Sequence, residues 1–343
     1  MTYTIKSTER TRKSGSDMET KALLYLMNFR EDSDDIHYFI VDFFNDLTGM
    51  NRTSSKVWDV QSKATANSSP KAIGRELVTL YKNYLSEFTF DFLILFLGGV
   101  SNTVRIDKSI NIFGIQNVRV DAISKIKEGL KEECDVKTYI DSKKATDLSI
   151  DEFIQKVTFV VDDKEPSDYV KAIIKEHPHI IPDEKRLIAI FNEIRNEQSG
   201  KKNGNMLEGV TISTRDESLS YYRHLTNNEI RLMTLHRIIN RDPIEQGIPM
   251  SFLPILNKCA PEKQKDMIDE CQSSLCRALF NKNMAQSFWN LFEQIYSLII
   301  NNPTNNTQLI YTKVNPELIE NCPDFDILSV KYFISVVKDG IQG

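Results

Sequence analysis

The amino-acid sequence predicts an α/β protein, with a mixed sheet flanked by helices in its N-terminal part and a mainly α-helical C-terminal region. Three observations carry this. Helical and strand periodicities alternate over residues 17–100. A nearly uninterrupted apolar run, Phe88–Leu97, closes on Gly98-Gly99 and reads as a strand buried on both faces. Beyond Asn205 helical patterns dominate.

Residues 1–16 are polar and basic, with Lys6, Arg10, Arg12 and Lys13 against Glu9, and read as a flexible arm. Asp17 opens an amphipathic helix running to Arg30, with Ala22, Leu23, Leu26 and Met27 on one face. The acidic stretch Glu31–Asp35 ends it. Ile36–Leu47, rich in aromatic and β-branched residues, is expected as a strand, Thr48–Ser55 as a turn and Lys56–Ala64 as a second strand. Ser68-Ser69-Pro70 starts a helix with a capping serine and a proline at the first helical position. Ile73, Leu77, Leu80, Tyr81 and Tyr84 carry that helix to Ser86. The order so far is helix, strand, strand, helix, buried strand, and a helix crossing between strands suits a mixed sheet.

Further along, Thr103–Ile115 suggests a short hairpin. Helices are expected at 121–133, 149–156, 166–176 and 183–198, with a strand at Val157–Asp162. Gln198–Asn205 (Gln-Ser-Gly-Lys-Lys-Asn-Gly-Asn) is the clearest linker signal. After it the pattern is helical at 227–241, 261–279, 283–300 and 326–339, with one strand at 308–314. The expected parts are therefore an arm at 1–16, a domain at 17–200 and a second domain at 206–343.

Composition narrows the function. At 343 residues, with 41% hydrophobic and 27% charged, the chain has the length for two domains, or for one with a large helical extension. Its 18 Phe and 12 Tyr exclude disorder throughout. A net charge of -5 excludes coating of nucleic acid by bulk charge, so any DNA grip must come from a local patch, an oligomer or a partner. The five cysteines are scattered without a CxxC pair, which excludes a zinc site and predicts free thiols in a reducing cytoplasm. No apolar leader is recognisable, and the longest apolar run, Phe92–Gly99, falls far short of the roughly 20 residues of a membrane helix. A cytoplasmic protein without membrane contact is expected.

The chemistry sits on Lys56–Ala64. Side chains alternate across a strand, so Asp59, Gln61 and Lys63 share one face, and Trp58, Val60 and Ser62 the other. Alternation alone is also the pattern of a solvent-facing edge strand. On the preceding strand Asp42 and Asp46 would share a face, and a short turn would bring Asp46 to Gln61 and Lys63. Such a set has chemical logic. A carboxylate with a neighbouring carbonyl oxygen suits Mg²⁺ or Mn²⁺, which binds phosphate oxygen and lowers the pKa of bound water. A lysine beside the ion orients that water or stabilises developing negative charge.

Asn45-Asp46-Leu47-Thr48-Gly49, then Trp58-Asp59-Val60-Gln61-Ser62-Lys63, resembles the D…QxK variant of the PD-(D/E)XK nuclease signature, also carried by Mrr-type restriction enzymes. The likeness is to the nuclease domain of Cap-family effectors of bacterial CBASS immunity, found too in the nuclease subunits of Lamassu anti-phage systems. It covers residues 17–100. It implies Asp46 as metal ligand, Gln61 at the position of the usual acid and Lys63 as the catalytic lysine. Asp59 and Glu19 are candidates to complete the metal shell, and Asp42 is a neighbour. The implied activity is a metal-dependent DNA endonuclease with Mg²⁺ or Mn²⁺, acting on double-stranded DNA as the effector of an anti-phage or anti-plasmid system. Residues 206–343 would then be a regulatory or partner-binding region, meeting an SMC-like ATPase or driving homo-oligomerisation. Glutamine in place of the acid removes one negative charge, and favours as alternative a non-catalytic scaffold that binds DNA or such an ATPase. An RNA-directed nuclease is a third option.

Lys71 and Arg75, one turn apart, together with Lys56 and the basic arm, are candidates to hold DNA phosphates. His177-Pro178-His179 reads as a turn rather than a metal site, and His224 and His236 as structural. No GxxxxGK[ST] loop occurs, which argues against an NTPase.

Overall fold

A computed structural model describes residues 2–5, 13–141, 143–175, 180, 182–202 and 207–342. His177-Pro178-His179 lies outside them, as do Lys6, Arg10 and Arg12 of the arm. The protein is α/β, as its periodicities predict. Helix α1 (Lys13–Asn28) leads into strands β2 (Ile36–Val41), β3 (Leu47–Asn51) and β4 (Val57–Lys63). Helices α2 (Pro70–Glu76) and α3 (Val78–Tyr84) then cross to β5 (Phe92–Leu97), and α4 (Val120–Val136) and α5 (Asp147–Lys156) cross to β7 (Val157–Val161). With β6 (Ile112–Phe113) and β9 (His224–Thr226) these strands form one sheet, ordered β6-β7-β5-β4-β3-β2-β9. β4, β5 and β7 run parallel to one another and every other pairing is antiparallel.

The largest departure from expectation lies at 36–51. The run expected as one strand to Leu47 is a hairpin, since Asp42 takes φ 50° and the chain reverses, with the Asp42 amide donating to the Asp46 carbonyl at 3.1 Å. Asp tolerates the left-handed region better than most residues. Phe43 and Phe44 continue the apolar signal through the turn because both are buried in a cluster with Tyr3, Ile5 and Phe88. Leu47–Asn51, of which Thr48–Asn51 is expected as a turn, is therefore the middle strand, and Asp42 and Asp46 do not share a strand face.

The arm is only partly an arm. β1 (Tyr3–Thr4) pairs with β8 (Thr211–Ile212), and Tyr3 and Ile5 are buried. The hairpin expected at 103–115 is instead the short strand β6 against β7. Of the linker expected at 198–205, residues 203–205 lie outside the described residues and the rest is helical. Helix α7 (Glu184–Lys202) runs through Gln198–Lys202. The strand expected at 308–314 is helical at Thr307–Tyr311, capped by the Asn306 side chain.

The two faces of the sheet are covered differently. Leu93, Leu95 and Leu97 of β5 pack with α2 to α5 through Ile73, Leu77, Tyr81, Ile126 and Phe153. On the other face α1 lies over β3 and β4, and Tyr25 meets the Phe96 ring at 5.5 Å. Two compact units emerge, one of Met1–Glu165 with Glu193–Asn227, the other of Pro166–Asn192 with Asn228–Gly343. The second unit is helical, with long helices at Pro261–Phe280, Ala285–Asn301 and Ile327–Gln342. No described helix is long and apolar enough to cross a membrane. The five thiols are free.

Candidate active site

β4 carries Asp59, Gln61 and Lys63 toward α2 and α3, and these helices answer with Asn83, Thr79 and Glu76. Asn83 Nδ2 donates to Asp59 Oδ2 at 2.7 Å and Thr79 Oγ1 to Gln61 Oε1 at 2.6 Å. Lys63 Nζ lies 3.2 Å from Glu76 Oε2. Two residues of strand advance about 6.6 Å and one helical turn about 5.4 Å, so a helix running antiparallel to the strand can match every second strand residue with one side chain per turn. The polar face of β4 is thus an interior seam. Asp59 is 0% and Gln61 3% exposed, which rules out the edge-strand alternative.

Asp46 closes the 42–46 turn immediately before β3. The turn is tethered at Phe44, whose carbonyl accepts from Lys82 Nζ and Asn83 Nδ2, each at 3.2 Å. Asp46 Oδ2 accepts from Gln61 Nε2 at 2.9 Å, from the Ser62 amide at 2.9 Å and from Ser62 Oγ at 3.0 Å. The carboxylate takes the Ser62 amide where a paired strand would offer a carbonyl. The Gln61 amide has one sensible orientation. An ionised carboxylate only accepts, so it takes the NH₂, leaving Oε1 for the Thr79 hydroxyl. Both ends of the Gln61 side chain are therefore engaged, one by Asp46 and the other by Thr79, and its side chain is not a free metal ligand.

Burial raises the Asp46 pKa, opposed by the Ser62 hydrogen bonds and by Lys63 and Lys202. Glu19, on α1, forms an ion pair with Lys202 of α7. Its pKa is pushed up to about 7 by burial, with Lys202 pulling down and Asp46 and Asp42 pushing up. Glu19 and Asp46 thus lie within electrostatic reach of each other, and one ammonium, Lys202, acts on both.

Asp59 is also within electrostatic reach of Asp46, but its oxygens are otherwise occupied. Burial lifts its pKa to about 7 against the hydrogen bond from Asn83. Its partner Asn83 also accepts from the Tyr3 hydroxyl at 2.7 Å. Asp59 belongs to the network tying β1, the 42–46 turn and α3, and a fully buried carboxyl so occupied is not positioned as a metal ligand. Asp42, at the turn, lies 3.6 Å from Arg223. Among the described residues no three His, Cys, Asp or Glu side chains converge to hold a metal.

Lys56, Lys71 and Arg75, expected to hold DNA, are engaged within the fold. Lys71 bridges Glu128 at 2.7 Å and Glu132 at 2.5 Å, and Arg75 lies 3.0 Å from Glu132. Lys56 pairs with Asp35 at 3.0 Å and stands over the Trp58 ring. Sequence reasoning missed Ser62 as a tether, Lys202, and the Glu76, Thr79, Asn83 stripe. The spacing of that stripe, three then four residues, is a helical face and was the one available signal. No protein-family model, curated protein or solved structure significantly matches the chain.

Proposed function

We propose that this chain is a metal-dependent endonuclease hydrolysing phosphodiester bonds of double-stranded DNA, with Glu19 and Asp46 as the acids of a Mg²⁺ or Mn²⁺ site and Lys63 beside Asp46. One observation carries the reading: Asp46 is fastened to Gln61-Ser62, one residue from Lys63, with the buried acid Glu19 in electrostatic reach. The donor set fits the ion. Mg²⁺ is commonly held by one or two carboxylates, with water and substrate phosphate completing its shell. Asp46 pushes the Glu19 pKa up, and one lysine ammonium, Lys202, pulls both acids down.

When bound, the ion would neutralise charge on the scissile phosphate and lower the pKa of a coordinated water. Lys63 supplies a second positive charge next to Asp46 for the developing negative charge on the phosphate. Glu76 keeps that ammonium at the end of β4. Gln61 and Ser62 act as positioning residues, each fixing the Asp46 carboxylate. By the family resemblance the protein would be the effector of an anti-phage or anti-plasmid system. It would be restrained by a partner such as an SMC-like ATPase and active as a homo-oligomer.

Purified protein given Mn²⁺ or Mg²⁺ and linear DNA should cleave it, and Asp46→Asn should abolish cleavage. The alternative, a scaffold that binds DNA or a partner without cutting, is favoured by Gln61, which stands where an acid is usual and whose side chain is taken up by Asp46 and Thr79. A scaffold would show no Mn²⁺ binding that depends on Asp46.

A further inference from the structure

We infer that Lys202 is an internal counter-cation that holds the Glu19–Asp46 pair closed to divalent metal, so that the site loads only when the end of α7 carries its ammonium away. The inference rests on the assignment of Glu19 and Asp46 as metal ligands. Lys202 Nζ is ion-paired with Glu19 Oε2, and the two side chains are only 8% and 11% exposed. Lys202 is also a cation that acts on Asp46. It therefore occupies, in charge, the place a divalent ion would take. Competition is real because Mg²⁺ sheds its water reluctantly, whereas this ammonium is already desolvated and in position.

The contact that delivers Lys202 is polar and separable. Along α7 the residues facing α1 are Arg195, Gln198, Ser199 and Lys202, at helical spacing. Arg195 Nη1 lies 2.7 Å from Asp17 Oδ1, the Thr20 hydroxyl donates to Gln198 Oε1 at 2.7 Å, and the Ser199 and Ser16 hydroxyls meet at 3.0 Å. Gln198 Nε2 is buried without a hydrogen-bond partner. Water can replace each of these bonds when the helices part, and a buried unsatisfied donor is relieved by parting. Lysine suits the task, as a compact point charge on a flexible stem.

The test is Mn²⁺ binding followed by electron paramagnetic resonance at pH 8, on the full chain and its variants. Lys202→Met should bind Mn²⁺ roughly tenfold or more tightly than wild type, about 1.4 kcal/mol. Lys202→Arg, which keeps the charge, should stay near wild type, and adding Asp46→Asn to Lys202→Met should remove the gain. Should Lys202→Met fail to fold, Lys202→Gln is read the same way. If wild type binds Mn²⁺ through Asp46 and removing the Lys202 charge brings no tightening, the inference falls and the metal site stands. If no variant binds Mn²⁺, both fall.

Discussion

Asp46 is held by three hydrogen bonds on one oxygen, two of them from Ser62. Ser62→Ala removes the hydroxyl bond and leaves the amide bond, so the carboxylate should loosen rather than leave. The expected cost is about 1–2 kcal/mol in urea denaturation, since the acceptor is charged and half-buried. Asp59 offers a second test. Its pKa in the folded protein is about 7 against an ordinary 3.8, so between these values the folded state holds more protons than the unfolded. Stability from this group is therefore greatest at low pH and declines as pH rises through about 7. Asp59→Asn keeps the shape and removes the ionisation. It should flatten the fall in stability between pH 5 and 8, measured by urea denaturation, and an unchanged slope would assign the dependence elsewhere, Glu19 first. At this scale strand alternation, being local, made the shared face of Asp59, Gln61 and Lys63 legible, whereas Asp46, expected on a strand, stands in the turn before β3. Lys202 was not legible, standing 183 positions from Glu19. Nor were the acids at 128 and 132 that neutralise Lys71 and Arg75, because a basic pair on a helix says nothing of what packs on it.

Helices α2 and α4 approach so closely that two glycines are obligatory. A Cβ on Gly74 would lie 2.0 Å from the Ile126 carbonyl oxygen, and one on Gly129 2.1 Å from that of Lys71. Gly74→Ala must push backbone apart and should cost about 1–3 kcal/mol or more. Gly200, inside α7, has nothing within 4 Å, so Gly200→Ala should stabilise by about 0.5–1 kcal/mol through helix propensity. Thermal melts of the two variants, shifting in opposite directions, check both statements. The same contrast explains where local signals misled. Glycine, serine and lysine at 198–202 look like a linker, yet Gln198 and Lys202 are held by side-chain bonds to α1. The 36–51 hairpin was hidden because Phe43 and Phe44, buried in the turn, extend the apolar run of β2. The capped start at Ser69-Pro70 and the buried β5 survived, since a cap and an apolar strand are decided within a few residues.

On the scale of the molecule, the α/β class was legible and the division into units was not. The first unit takes back 193–227, contributing β8 to pair with β1 and β9 to pair with β2. Strands of two and three residues leave too little periodicity to recognise. A chain cut after residue 200 would lose Leu207 and Ile212, against which Tyr3 and Ile5 pack, together with Lys202. It should melt well below the full chain by circular dichroism, with rapid proteolysis of its first residues. The central claim concerns what the unit does, and cleavage of supercoiled plasmid by the full chain with Mn²⁺, beside Lys63→Ala, tests it most directly. The expected result is nicking or degradation by wild type and a loss of roughly a hundredfold or more in Lys63→Ala at unchanged fold. Equal cutting by Lys63→Ala, or a wild type that never cuts with metal and any partner present, would contradict the account.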